Sequence, residues 1–260
     1  MGSAALLAPG HLVGRLREAY GSPPPSPLLA PGGDPLELLV LTLLSQATGD
    51  SGAALAYRRL RERFPGWADV ARADTEEVAA AIAPGGLSRR KAPRIQAILR
   101  CLHAERGAYS LDFLRGLPSP EAYSRLTDFP GVGPKTAACV LLFAFGAPHF
   151  PADVHILRVA ERAGLIGRGG AGEAQDALAV LFAPAEYLAL HLYLILHGRT
   201  VCRPRPKCPD CCLRAGCAAG GGAGRSGAGR IQSEAAGGSG TASRLTTRSS
   251  PPRMDRTFNR

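Results

Sequence analysis

The 260-residue sequence predicts an all-α protein. Three observations carry that expectation. Its 45% hydrophobic content is largely Ala and Leu, with aromatics at only 6%, a composition that leans towards helix. Helix-start signals recur along the chain, with Asp or Ser set ahead of Glu or Pro. No pair of alternating apolar and polar runs joined by a tight turn is present, so no strand hairpin is expected.

The elements follow in order. A helix is expected around Leu12–Tyr20, before a Pro-rich run from Ser22 to Pro31. Asp34-Pro35-Leu36-Glu37 has capping-box spacing with Pro at the first helical position. The Leu38–Leu44 run behind it is apolar on every side, which marks a buried central helix. Asp50 is placed to cap the next helix, which ends near Pro65, and Asp74 with Glu77 repeats the capping signal. Ser88 opens a long basic helix towards Gly107, with Ile95, Ile98, Leu99 and Leu102 at spacings of three and four. Further helices are predicted from Ser119-Pro120, over Pro134–Phe145 with Gly146 as the stop, around Val154–Ala163, and over Pro184–Leu196.

Composition narrows the function. No run of 18 apolar residues exists, which excludes a membrane-spanning helix, and the N-terminus lacks a basic segment followed by an apolar core, so secretion is not expected. The formal charge is +10 and the isoelectric point near 9.7, a balance that favours an anionic partner. Residues 218–260 carry seven Arg against Glu234 and Asp255, so half of the surplus belongs to the body of the chain. That Gly-, Ala- and Ser-rich tail holds too little apolar surface to fold and is expected to be disordered, as ballast or as extra affinity for a polyanion. Of 31 basic residues only Lys91, Lys135 and Lys207 are lysines. Genome composition accounts for most of that bias, yet a lysine amine can act as a nucleophile where a guanidinium cannot.

The richest segment is Leu126-Thr-Asp-Phe-Pro-Gly-Val-Gly-Pro-Lys135-Thr-Ala-Ala. One helix ends, the chain turns through Pro130-Gly131-Val132-Gly133, and a second helix opens at Pro134. Its unpaired N–H groups and positive dipole end suit a phosphate backbone, although a plain tight turn between helices has the same pattern. Lys135 at that helix start is either a phosphate grip or a nucleophile. Asp153 is an N-cap for the helix from Val154, a catalytic carboxylate, or both. Cys202, Cys208, Cys211 and Cys217 give C-x5-C-x2-C-x5-C, a thiolate set for a [4Fe–4S] cluster or an all-thiolate zinc site. Cys101 and Cys139 read as buried helix thiols.

With its flanking residues, the hairpin resembles that of the helix-hairpin-helix DNA glycosylases, and among them the endonuclease III family. Other segments match in order: Leu44-Ser-Gln-Ala-Thr-Gly-Asp50, Gly86-Leu-Ser-Arg-Arg-Lys-Ala92, Ala152-Asp-Val-His-Ile, His197-Gly-Arg199 and the cysteines, over about residues 34–217. The resemblance implies a two-lobed helical fold with DNA in the cleft. Its parts would be an N-terminal helix and linker over 1–33, a helical barrel lobe over 34–147 with its hairpin at 126–145, a cluster lobe over 148–217, and the tail. The N-terminal helix would pack with the cluster lobe.

The resemblance further implies a monomeric, cytoplasmic bacterial enzyme acting on double-stranded DNA that carries a damaged base or an abasic site. It would remove oxidised pyrimidines and cut 3′ to the abasic site by β-elimination through a Schiff base on Lys135, with Asp153, 18 residues further on, as catalytic carboxylate. The alternatives are an abasic-site lyase with little glycosylase action and a non-catalytic DNA-binding module. Gly131, Val132, Gly133 and Lys91 would contact DNA, as would Arg205 and Lys207 in the first cysteine loop. The family order favours a [4Fe–4S] cluster, a structural clip, although the family has six residues in the first gap where this chain has five, and Cys212 is a competing ligand. Ala47 stands where the family carries an amide that fills the space of the extruded base, with Gln46 adjacent as its substitute.

Overall fold

The computed structural model describes residues 7–220 apart from Pro27, and the greater part of the basic tail lies outside them. Among the described residues the fold is all-helical, with α1 (Pro9–Tyr20), α2 (Pro35–Ser45), α3 (Asp50–Arg63), α4 (Trp67–Arg72), α5 (Thr75–Ala81), α6 (Ser88–Arg106), α7 (Ser119–Thr127), α8 (Pro134–Phe145), α9 (Val154–Ala163), α10 (Ala171–Leu181) and α11 (Tyr187–Thr200). Short 3-10 turns lie at Ala83–Gly85, Asp112–Gly116, Pro184–Glu186 and Cys208–Asp210. No single helix among them is long and apolar enough to cross a membrane.

Two apolar cores organise these helices. The first gathers Leu39, Val40, Leu43 and Leu44 of α2, Leu60 of α3, Ile95, Ile98, Leu99 and Leu102 of α6, Leu126 of α7 and Val140 of α8. The second gathers Leu12, Val13 and Leu16 of α1, Phe143 of α8, Ile156, Val159 and Ala160 of α9, and Leu190, Tyr193 and Leu194 of α11. Each fully buried Leu, Ile or Val stabilises its core by about 1.5–3 kcal/mol. Two helices serve both cores. Leu38 of α2 and Leu142 of α8 face the second core while their neighbours face the first. A helix sandwiched between two cores must be apolar all round, which is why neither segment shows an amphipathic stripe.

Local chemistry sets the boundaries. Asp34 caps α2 by accepting from Glu37 N at 2.8 Å, and Asp74 caps α5 by accepting from Glu76 N at 2.8 Å. Asp50 does not cap α3, contrary to its expected role. Gly49 is the N-cap and Asp50 the first helical residue, its carboxylate committed elsewhere. Two helices, α4 and α10, were not anticipated, and both start from a glycine, Gly66 or Gly170, with an acid three residues on that bonds back to it. The expected helix from Pro184 divides into a 3-10 turn and α11. The segment around α1 is pinned by Leu7 N donating to Gly216 O at 3.0 Å and Tyr193 Oη donating to Gly21 O at 2.5 Å.

Candidate active site

The hairpin is built by burying its apolar members and exposing its backbone. Phe129 and Val132 sink into the first core, while Pro130 and Gly131 stay exposed. Gly131 has φ +82°, and a Cβ there would stand 2.8 Å from Arg94 Cδ, so both conformation and space demand glycine. Gly133 differs. It is the extended N-cap of α8 with open space where a Cβ would point, so nothing inside the protein requires its bareness. Val132 does not offer the expected outward contact through its side chain or N–H. The side chain is 5% exposed, and the N–H donates to Phe129 O at 3.1 Å.

From this turn α8 presents Lys135 to a cleft of about 550 Å³, a size ordinary for a ligand site. Asp153 enters the same cleft from the start of α9. Its Oδ1 accepts from His155 N and Ile156 N, each at 2.9 Å, which fixes the carboxylate at the mouth of the helix. The two candidate catalytic groups thus come from successive helices and line one cleft. Cys139, one turn beyond Lys135, and His191 of α11 line the floor. His191 is buried, its Nδ1 3.0 Å from Pro151 O, and burial holds its imidazole well below the ordinary histidine range. Donation to that carbonyl leaves Nε2 as the ring's acceptor.

The α2–α3 loop, residues 46–49, also borders the cleft through Gln46, Ala47 and Thr48. Gln46 does not project freely. Its Nε2 donates to Gly131 O at 3.1 Å and Thr136 Oγ1 at 3.2 Å, so the amide braces the hairpin. Ala47 is exposed with φ +53°, a left-handed conformation that costs a non-glycine residue about 1–2 kcal/mol. Also lining the cleft, the Asp50 carboxylate pairs with both terminal nitrogens of Arg199, Nη2 lying 3.2 Å from Oδ1. That pair joins α3 to α11 at the cleft edge. Gly198 lets α11 approach α9, since a Cβ there would lie 2.9 Å from His155 Cβ.

Lys91 is the clearest departure from expectation. Expected to contact DNA, it is only 3% exposed. Its ammonium donates inward, to Leu44 O at 2.6 Å and Gly85 O at 2.7 Å, so it has no surface to offer a phosphate. A residue missed by the sequence reading stands near it. Leu87 is 51% exposed with φ +50°, on the loop that ends at α6. The only local hint was an apolar side chain behind two glycines, in a stretch that reads otherwise as a helix start.

The four cysteines of the spaced set, Cys202, Cys208, Cys211 and Cys217, line a second cavity of about 110 Å³. Cys212 is not among its lining residues. No group of three or more His, Cys, Asp or Glu among the described residues converges as for a single metal ion. The four thiols line this cavity without converging on one point. Two arginines of α9 fold the loop into this shape. Arg158 Nε donates to Cys202 O at 2.8 Å, and Arg162 donates to Arg203 O at 2.6 Å and Pro204 O at 3.0 Å. Arg205 and Lys207 remain exposed on the rim.

Comparison with known proteins agrees with this architecture. The family described as HhH-GPD superfamily base excision DNA repair protein matches residues 40–184. Endonuclease III of Thermotoga maritima is 31% identical over 185 residues, 71% of this chain and 83% of that protein. A putative DNA glycosylase of Arabidopsis thaliana is 42% identical over 131 residues, half of this chain but only 45% of the plant protein's length. A solved structure of a trapped endonuclease III–DNA covalent intermediate superposes with a TM-score of 0.71 at 27% identity, covering 83% of this chain and 98% of that one. The hairpin, the shared cleft and these likenesses coincide in one conclusion: the chain belongs to the HhH-GPD superfamily of base excision DNA repair proteins, as an endonuclease III-like member.

Proposed function

We propose that this endonuclease III-like DNA glycosylase is bifunctional, excising oxidised pyrimidines and then cutting the strand 3′ to the resulting abasic site. The observation that carries the reading is the meeting of the Lys135 amine and the Asp153 carboxylate on one cleft. Excision builds positive charge at the sugar C1′, and a fixed carboxylate lowers the energy of that charge. The Lys135 amine then forms a bond to C1′ as the bond to the base breaks, and the departing base takes up a proton. Ring opening gives a Schiff base. Loss of the C2′ proton sends its electron pair into a new C2′–C3′ double bond as the 3′ phosphate leaves. The base must swing out of the duplex before any of this occurs.

Other features support a DNA substrate. The first N–H groups of α8 lack partners within the helix, and the open side of Gly133 leaves a phosphate oxygen room to approach them. Leu87 exposes an apolar side chain on the loop before α6, of the kind that enters an opened base step. Cys202, Cys208, Cys211 and Cys217 would hold a [4Fe–4S] cluster that clips the loop bearing Arg205 and Lys207 and takes no part in bond breaking. In this reading a monomer suffices, because one chain supplies every group.

The test is borohydride trapping on duplex DNA with a defined abasic site. A covalent adduct that Lys135→Ala abolishes while duplex binding persists is the expected result. Binding without any adduct in the parent protein would leave only a DNA-binding module. One observation favours a second reading, an abasic-site lyase with weak glycosylase action. The Gln46 amide is spent on the hairpin and Ala47 offers only a methyl group, so neither is free to replace an extruded base. A panel of duplexes carrying single oxidised pyrimidines separates the two, the second predicting turnover at abasic sites alone.

A further inference from the structure

Among the described residues, Ala47 and Leu87 are the two non-glycine residues with positive φ. They lie 40 positions apart in the chain, and neither is needed to fill a core, since Ala47 is exposed and Leu87 half so. Strain of this kind persists only where the surroundings over-determine the backbone. Here one buried group reaches both loops. Lys91, one turn into α6, donates from Nζ to Leu44 O at 2.6 Å, to Gly85 O at 2.7 Å and to Thr48 Oγ1 at 3.2 Å. An ammonium has three protons, and each has an acceptor. Leu44 and Thr48 bracket Ala47, while Gly85 stands two residues before Leu87. The Thr48 hydroxyl also donates to Gly85 O, and Lys91 N donates to Leu87 O at 3.0 Å. Tight packing backs the tether, because a Cβ at Gly52 of α3 would lie 2.8 Å from Pro84 O.

A buried cation and two strained exposed residues all cost free energy, and no interior packing by Ala47 or Leu87 offsets it. The three bonds of Lys91 offset its own burial, whereas the strain at Ala47 and Leu87 is matched by no packing of their own and both residues are open to an outside partner. We propose that Lys91 is a positioning residue, whose ammonium locks the Ala47 and Leu87 loops into one rigid rim that bears on the base stack of duplex DNA. This rests on the reading of the cleft as a DNA site, and it assigns Lys91 to holding the duplex rather than to the sugar chemistry of Lys135.

The test uses the full chain and fluorescence anisotropy on two probes, an abasic-site duplex and the same abasic strand alone. Lys91→Met keeps the stem and removes the three donated bonds. It is expected to weaken duplex binding roughly tenfold or more while single-strand binding stays within about twofold. Leu87→Ala should weaken duplex binding in the parent and add little in the Lys91→Met background, since an unheld loop no longer presents the side chain. Equal losses on both probes, additive losses in the double variant, or no loss at all would overturn the proposal. Should Lys91→Met fail to fold, Thr48→Val removes one acceptor at constant shape and should give a smaller loss confined to the duplex, with an equal loss on both probes again refuting it. These readouts need no turnover. Absence of a borohydride adduct would sink the lyase reading alone, and absence of duplex binding in the parent would sink both.

Discussion

Replacing Asp153 by Asn and by Ala separates two roles that one carboxylate fills. As a cap, Oδ1 accepts two N–H bonds of 2.9 Å, and α9 has no other acid in its first turn to take over. Asn keeps an acceptor oxygen and is a good N-cap, so Asp153→Asn should melt close to the parent. Asp153→Ala loses the cap at a cost of about 1 kcal/mol, a fall of about 2–4 °C for a domain of this size. As an electrostatic group the carboxylate has a larger effect. A full charge about 4 Å from a developing cation, at an effective dielectric of about 20, contributes about 4 kcal/mol. That corresponds to about a thousandfold in rate. Single-turnover excision on a duplex with one oxidised pyrimidine, run beside thermal melting, should show both variants losing activity alike while only Asp153→Ala loses stability. An Asp153→Asn protein that excises within about threefold of the parent would reduce Asp153 to a cap and remove the charge from the mechanism.

Three further outcomes are expected. Asp50→Asn and Arg199→Gln, combined in a double-mutant cycle read by chemical denaturation, should show a coupling of about 0.5–1 kcal/mol, because side-chain exposures of 23% and 42% leave the pair open to solvent. Purely additive losses would mean that the pair does not stabilise the cleft edge. Cys208→Ser should lower bound iron and sulfide and loosen the 201–217 loop to protease, whereas unchanged iron content would remove Cys208 from the ligand set. Burial lowers the affinity of His149, His155 and His191 for protons in the folded state. The unfolded chain, titrating near pH 6.5, then binds more protons, so stability should fall as pH drops below about 6.5. The fully buried His191 alone sets a slope of up to about 1.4 kcal/mol per pH unit there, and a flat denaturation midpoint between pH 7 and 5 would contradict it.

Much of the fold is legible because its signals are local. The caps of α2 and α5 need only residues three apart or fewer, and the buried face of α6 repeats within single turns. The hairpin is legible for the same reason, as its turn, its buried Phe129 and its helix start occupy one short stretch. Helix α10 escaped because its start is a glycine, which offers no side-chain signal, and α4 because six residues are too few to show a period. Lys135 and Asp153 could be read as candidates since each sits at a helix start that its own neighbours define.

What local patterns cannot give is the partner of a long polar side chain. Gln46 meets Gly131 across 85 positions, Asp50 meets Arg199 across 149, and Lys91 meets Leu44 across 47. For Gln46 and Lys91 the residue type admits two fates, an outward contact with a polyanion or an inward bond to carbonyls, and for Asp50 it admits a helix cap or an ion pair. The choice belongs to backbone that other segments supply. For Lys91 the inward fate wins because the turns after α2 and α5 both leave carbonyls without helical donors, at Leu44 and Gly85, on the same side of α6. A lysine there satisfies Leu44 O, which would otherwise be buried and unpaired at a cost of about 1–3 kcal/mol, and gives Gly85 O a second donor beside the Thr48 hydroxyl. The cost of desolvating one ammonium is thereby set against two carbonyls and a hydroxyl, and a basic residue in a basic helix ends up as part of the protein's interior.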